Sequence, residues 1–531
     1  MTILTIHLCI VNLNVTDACL AISLIWVISK ALKFNSNLKP FSLPGLFLPS
    51  SKKWNPGFLF FWDWKNFFVP FLHGAPAIYT NSMEVAKQVI SEESQTAPFS
   101  KPASISLGLT FWGPNIISAE QGAWRKYRRV VGPAFNNETY ALVWSESLRS
   151  YHDMMAAEGW DKKQVVEIYS MQRITSKFAL LIISSCGFGL PFTWESPPIE
   201  SESSVTIQDA IYTTARSLAF VRAPGWAWYL PVPWIQHTRK AFDTMRTFMQ
   251  NHAQSRREDI RSRKKEHDDW RKDVFNLLAQ ANDDEGKLSL NDHELIGNVF
   301  VLLSAGHETT AYTLAATLAL LALNPTIQSE VVEHIQEIVG EREPTFQDYA
   351  KLDKVLGAFY EGLRMFPAGA LVIREARQDT TLVYPRINSS GNEESIFLPV
   401  AKGTHILVDM VGVQRNPRYF LDPDVYRPSR WYAKNKNRSA PEDGGKPITR
   451  PTLHDSEEFT AFSVGPRACI GRKFATTEAV CLLTLLLRDW QVEPLLRTDE
   501  TIEEWRERVM QVTMTQTAMG IKDVPLRFIK R

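Results

Sequence analysis

The segment Phe462-Ser463-Val464-Gly465-Pro466-Arg467-Ala468-Cys469-Ile470-Gly471 constrains this chain more than any other stretch. Its two glycines let the backbone turn tightly and approach a flat ligand closely. Cys469 stands just ahead of the apolar run 474–487, which reads as a helix. A cysteine at a helix N-terminus has its thiolate favoured by the helix dipole and by unpaired backbone N–H groups. The same N–H groups can hydrogen-bond the sulfur and tune its donation to a metal. Arg467, two residues earlier, has the charge and reach to meet a carboxylate at the ligand's edge.

The other cysteines lack such neighbours. Cys9, Cys19, Cys186 and Cys481 are scattered with no CxxC pair, which is neither a disulfide framework nor a zinc site. A lone cysteine of this kind is ordinarily a buried, inert thiol. Apolar residues make up 44% and charged residues 22%, as in an ordinary globular protein. The formal net charge of +1 gives no general argument for nucleic acid or an acidic partner. A length of 531 residues would by itself predict two or more domains.

Three long helices are legible. Residues 120–135 begin on an acid and end near Pro133. Residues 291–323 start at a capping Asn or Asp and stop before Asn324-Pro325. That segment is apolar nearly all round from Leu295, so it should be buried. Residues 352–366 end before Pro367. Short β-like runs lie between 371 and 410, and the polar stretch 433–457 reads as a surface loop. Residues 223–234, APGWAWYLPVPW, are aromatic but interrupted by Pro and Gly. They read either as a core-packed loop or as a loop at a membrane interface, where Trp prefers to lie.

Residues 1–28 contain no Lys or Arg, and 18–28 is the densest apolar run. That run is short against the roughly 20 residues a span needs, and extending it back to Ile3 takes in Asn12, Asn14 and Asp17. Positive charge follows it at Lys30, Lys33 and Lys39 instead of preceding it. This predicts a signal anchor over 1–34 with the body in the cytosol, against a secretory signal peptide as the rival. Residues 35–53, with two prolines and a glycine at 40–45, read as a stiff linker, and 54–531 as the body.

The spacing FxxGxRxCxG, with Phe462, Gly465, Arg467, Cys469 and Gly471 in place, resembles the haem-binding loop of the cytochrome P450 family. Five such positions should coincide by chance in roughly one chain in 10⁴. Further segments resemble the family's motifs in the family's order. Ala305-Gly306-His307-Glu308-Thr309-Thr310 resembles the oxygen-activation motif. Alone, Thr309 would read as a helix residue bonding back to a carbonyl, and Glu308 as a costly acid in an apolar helix. The resemblance makes them a proton-delivering pair beside a Gly-associated kink. Glu361 and Arg364, one turn apart, resemble a structural acid–arginine pair completed by Arg430 of Pro428-Ser429-Arg430-Trp431. Trp124 and Arg128 resemble the family's WxxxR helix, and Arg374 its β-strand arginine. With Arg467, these would neutralise the haem propionates. His405 is a looser candidate outside that set.

The resemblance implies a mainly α fold with small β-sheets, built as one large haem domain behind the anchor. It implies haem b on Cys469, whose thiolate pushes electron density that favours O–O cleavage. It implies electrons from NADPH through a separate NADPH–cytochrome P450 reductase, with cytochrome b5 as a second donor. The anchor and proline turn resemble microsomal members, which implies the endoplasmic reticulum, and the texture of the body resembles fungal enzymes. Arg125, Lys126, Arg129, Arg472 and Lys473 read as a dock for an acidic partner or as a solvated face. Leu107, Leu109, Phe111, Val301, Ala305 and Ala370, continuing into Leu371 and Val372, are candidate pocket walls. They favour a lipophilic small molecule such as a terpenoid, and nucleic acid is not expected. Two other classes stay open. A haem-thiolate isomerase or dehydratase would work without dioxygen, and a haem-binding membrane protein would have no chemistry; intact Glu308 and Thr309 count against both.

Overall fold

The computed structural model describes residues 77–531, apart from 91–95, 103–109, 191, 196–204, 218–219, 224, 264–272, 284–285, 388–392, 433–458, 515–517 and 522. The anchor and linker over 1–53, the polar loop at 433–457, and Leu107 and Leu109 lie outside these residues.

The helices that position the site are α1 (Gln121–Val131), α2 (Asn137–Ala157), α3 (Met171–Ile182), α4 (Pro233–Arg263), α5 (Asp292–Leu323), α6 (Asp353–Met365) and α7 (Arg472–Asp489). Helix α5 runs through the main core, and nearly every residue from Leu295 to Ala322 is buried. Its start is fixed by a capping box. The Asn291 side chain accepts from the Glu294 backbone N–H, and the Glu294 carboxylate accepts from the Asn291 N–H. Asn324-Pro325 ends it, because a proline cannot continue the helical ladder. Helices α3 and α6 pack along α5, while α7 packs against α2. The side chains of α7 from Thr476 to Leu487 are all buried.

The sheet that matters for the site has four strands: β1 (Ala77–Thr80), β2 (Phe99–Ser100), β3 (Leu371–Ala376) and β4 (His405–Asp409). Their order is β1-β4-β3-β2, with β1 and β4 parallel and the other pairs antiparallel. Helix Met83–Ile90 covers the sheet and closes a second, smaller apolar cluster. The strands Thr380–Ile387 and Glu393–Val400 form a hairpin. Val165–Ile168, Leu526–Lys530 and Trp490–Pro494 form a three-stranded sheet that ties the C-terminus to the end of α7.

One element departs from the sequence reading. Within 223–234 the prolines and glycines do not exclude helix. Gly225–Tyr229 forms a 3₁₀ turn, and α4 begins at Pro233. A proline at the first helical position costs nothing, because its missing N–H would have had no partner there. Trp228 packs edge-on to Phe220 and Phe242, but Trp226, Tyr229 and Trp234 are 67%, 71% and 55% exposed. Among the described residues no single helix is long and apolar enough to cross a membrane.

Candidate active site

The cysteine loop folds on itself before α7 begins. Gly465 takes a φ of +71°, open to glycine without cost, and starts a 3₁₀ turn over Gly465–Arg467. Ser463 takes a φ of +63°, which costs a residue with a side chain about 1 kcal/mol. The Cys469 N–H donates to the Phe462 carbonyl (2.8 Å), closing the loop. Gly471 caps α7, and its N–H donates to the Cys469 sulfur. Burial pushes the Cys469 thiol up, while the Gly471 N–H and the charges of Arg128 and Arg472 pull it back. The side chain is nonetheless exposed. A group both deep in protein and accessible lies on the floor of an internal hollow.

Cations converge on this loop. Trp124 and Arg128 share one face of α1. The Arg467 guanidinium lies over the Trp124 ring (4.8 Å), and Arg128 Nη1 donates to the Ala468 carbonyl (3.5 Å). Helix α1 is itself anchored to the start of α5, where Lys126 Nζ and Tyr127 Oη both donate to the Glu294 carboxylate (2.7 and 2.8 Å). Arg374 comes from β3, partly buried, with Nη1 on the Ile373 carbonyl (3.0 Å). His405 pairs instead with Glu375 across the sheet (3.9 Å).

Helix α5 keeps α-helical form through Gly306. A Cβ on Gly306 would come within 2.7 Å of the Ile183 side chain, so this glycine lets α5 lie against the π-helical turn Ile183–Gly187. Glu308 is buried and Thr309 half-buried. The Thr309 hydroxyl donates to the Ala305 carbonyl (2.9 Å), and Thr313 and Thr317 repeat that bond one and two turns on. Back-bonding of this kind bends helices slightly.

Behind the cysteine loop, Glu361 and Arg364 are fully buried and form a bidentate pair. Glu361 also accepts from Arg430 Nε (3.1 Å), Trp431 Nε1 (2.8 Å) and the Arg427 N–H (3.0 Å). Every lone-pair direction of this carboxylate is used, as a buried charge requires.

A family model described as cytochrome P450 matches residues 60–519. The chain belongs to the cytochrome P450 family. Cytochrome P450 monooxygenase 124 of Postia placenta is 31% identical over 86% of this chain and 84% of its own. Cytochrome P450 monooxygenase prx9 of Penicillium rubens is 24% identical over 78% and 73%, and human cytochrome P450 4F11 is 26% identical over 72% and 69%. This P450 is therefore an oxygen-inserting oxidoreductase with a mainly helical fold, a haem and reductase-derived electrons.

The residues present fit a haem. They offer one accessible sulfur donor on the floor of a hollow, an N–H aimed at that sulfur, and guanidinium groups from α1 and the cysteine loop beside it. Of the candidate walls, Val301 and Ala370 are buried, whereas Ala305, Leu371 and Val372 are partly open. Phe111 is 37% exposed and meets Trp112 and Phe242 edge-on.

Two groups escaped the sequence reading. Glu478 is an acid in the middle of the apolar run of α7. It is fully buried, with both carboxyl oxygens short of a hydrogen-bond partner, and Thr310 is the polar side chain near enough to influence it. A charged residue inside an apolar stretch was the signal available. Arg472, which the sequence assigns to a basic dock or a solvated face, is drawn inward against aromatic rings. Lys126 and Lys473 are also engaged, by Glu294 and by the Tyr349 ring, and the side chains of Arg125 and Arg129 are exposed.

Proposed function

We propose that this monooxygenase binds haem b through the Cys469 thiolate and hydroxylates, or similarly oxidises, a lipophilic small molecule of the terpenoid kind. The observation that carries this is the accessible Cys469 sulfur in a hollow ringed by the Gly471 N–H, Arg128 and Arg467. Trp124, Arg128, Arg374 and Arg467 hold the propionates, and Phe462, Gly465 and Gly471 shape the loop against the ring. When bound, the haem supplies dioxygen activation and insertion of one oxygen atom into a C–H bond. The protein positions, excludes water and manages protons.

Thr309 Oγ1 is the acceptor in that proton path. Its own hydrogen is held by Ala305, so both lone pairs can accept from water in the hollow. Rotating away from Ala305 lets it donate in turn, and Glu308, one residue back, replaces the proton. Electrons arrive from NADPH through NADPH–cytochrome P450 reductase, with cytochrome b5 as a second donor.

The exposed Trp226, Tyr229 and Trp234 suit the headgroup level of a bilayer. Together with an N-terminal anchor over 1–34, they support a reading in which the enzyme sits on the endoplasmic reticulum membrane with its catalytic body in the cytosol.

Feeding candidate lipophiles to cells co-expressing the chain and a reductase identifies the substrate. With that substrate, product and hydrogen peroxide are measured per NADPH for wild type and Thr309→Ala, with and without oxygen. Wild type should need oxygen. Thr309→Ala should keep substrate binding, lose product yield and release more peroxide, since a missing proton donor costs a factor of about 10²–10⁴ or less where water substitutes. Full-rate product without oxygen contradicts the monooxygenase reading. Unchanged coupling in Thr309→Ala removes Thr309 from the proton path.

A further inference from the structure

Arg472 opens helix α7, three residues after Cys469, and does not extend into solvent. Its guanidinium lies over three aromatic rings: Tyr360 (5.4 Å), Phe462 (5.5 Å) and Phe459 (6.0 Å). Its Nε donates to the Tyr360 hydroxyl (3.2 Å). Tyr360 and Phe459 are themselves buried, and their rings meet at a tilt with centroids 4.8 Å apart. Behind them Trp431 packs on Phe459 (4.9 Å) while donating to Glu361. The cage therefore has a rigid wall, because Trp431 and Tyr360 come from the segment and helix that build the Glu361–Arg364–Arg430 cluster. A guanidinium suits such a cage, being planar, weakly hydrated and charged at every working pH. Cation–π attraction to several rings holds it in place.

We propose that Arg472 is a positioning residue for the Cys469 sulfur, a cation fixed by its aromatic cage that restrains the thiolate's electron donation and raises the reduction potential of the iron it ligates. The inference rests on Cys469 being the haem ligand. A positive charge near the sulfur favours the negative thiolate and, by the same Coulomb term, the reduced state of the metal, which carries one positive charge fewer. Arg128 adds a second charge at the same sulfur from α1. Arg472 differs in being locked by rings that also reach the Glu361 cluster, so that cluster sets the position of a charge as well as the packing of the loop.

The test uses the full haem-loaded chain and three variants: Arg472→Met, Arg472→Lys and Tyr360→Phe. The readouts are the ferric-to-ferrous ratio at fixed solution potential and the iron–sulfur stretching frequency. Arg472→Met should move the ratio about tenfold toward ferric, a 59 mV fall in midpoint for a one-electron couple, and strengthen the iron–sulfur bond. Arg472→Lys, which keeps the charge, should restore most of the shift. Tyr360→Phe, which keeps the ring and loses the hydroxyl, should move the ratio about twofold in the same direction. A ratio within twofold of wild type in Arg472→Met overturns the proposal, as does a shift of the same size in Arg472→Lys. If Arg472→Met does not retain haem, Tyr360→Phe decides, and an unmoved ratio there overturns the proposal. A wild-type spectrum without thiolate ligation would instead remove the ligand assignment beneath it.

Discussion

Glu478 shows how much a single side chain can weigh. Burial raises its carboxyl well above the ordinary carboxylate range, and among the described residues no cation offsets the loss of water. It stays protonated in the fold at pH values where the unfolded chain has already released the proton. The fold is therefore fully favoured below the unfolded pKa and loses that advantage as pH rises toward the folded one. Each pH unit in that window costs about 1.4 kcal/mol. Glu478→Gln removes the dependence, so its urea midpoint, measured against wild type from pH 5 to pH 8, should gain steadily with pH. A constant difference across that range would mean that Glu478 is ionised in the fold. Glu478 stands out in the sequence only as an oddity, whereas Cys469, Arg467, Trp124 and Arg128 are singled out by their resemblance to family motifs, and the structure brings them together. Spacing fixes neighbours along one loop or one helix face. It carries no information about Tyr360 meeting Arg472, 112 positions apart.

Helix ends were legible wherever local chemistry sets them, and the capping box at Asn291 and the stop at Asn324-Pro325 are cases in point. The start of α4 at Pro233 was not, because proline breaks a helix interior yet suits a helix start, and only context separates the two. The result leaves large aromatic side chains outward beside α4, with the Arg239 guanidinium over the Tyr229 ring (4.3 Å). The proposal that this patch meets a lipid–water boundary has a direct test. In a chain lacking residues 1–34, Trp226, Tyr229 and Trp234 changed together to Ser should reduce co-sedimentation with phosphatidylcholine vesicles severalfold while leaving the haem spectrum intact. Undiminished sedimentation would assign membrane contact to another surface.

At the scale of the molecule, several distant elements converge on the accessible Cys469 sulfur. Helix α7 brings the loop, α1 brings Trp124 and Arg128, and Glu294 pins α1 to the start of the central helix. The Glu361 cluster closes the back. The order of motifs along the chain made the mainly helical P450 fold legible despite the chain's length, because the resemblance ties residues far apart in sequence to one site. The partner face was less legible. Of five basic residues grouped there, Lys126, Arg472 and Lys473 are engaged by Glu294 and by aromatic rings, a pairing that the sequence does not show. Everything else depends on the identity of the ligating sulfur, and one spectrum tests it. The reduced, carbon-monoxide-bound protein should show the red-shifted Soret band of thiolate ligation in wild type and in Cys481→Ala, and lose it in Cys469→Ala. A normal band in Cys469→Ala would contradict the account.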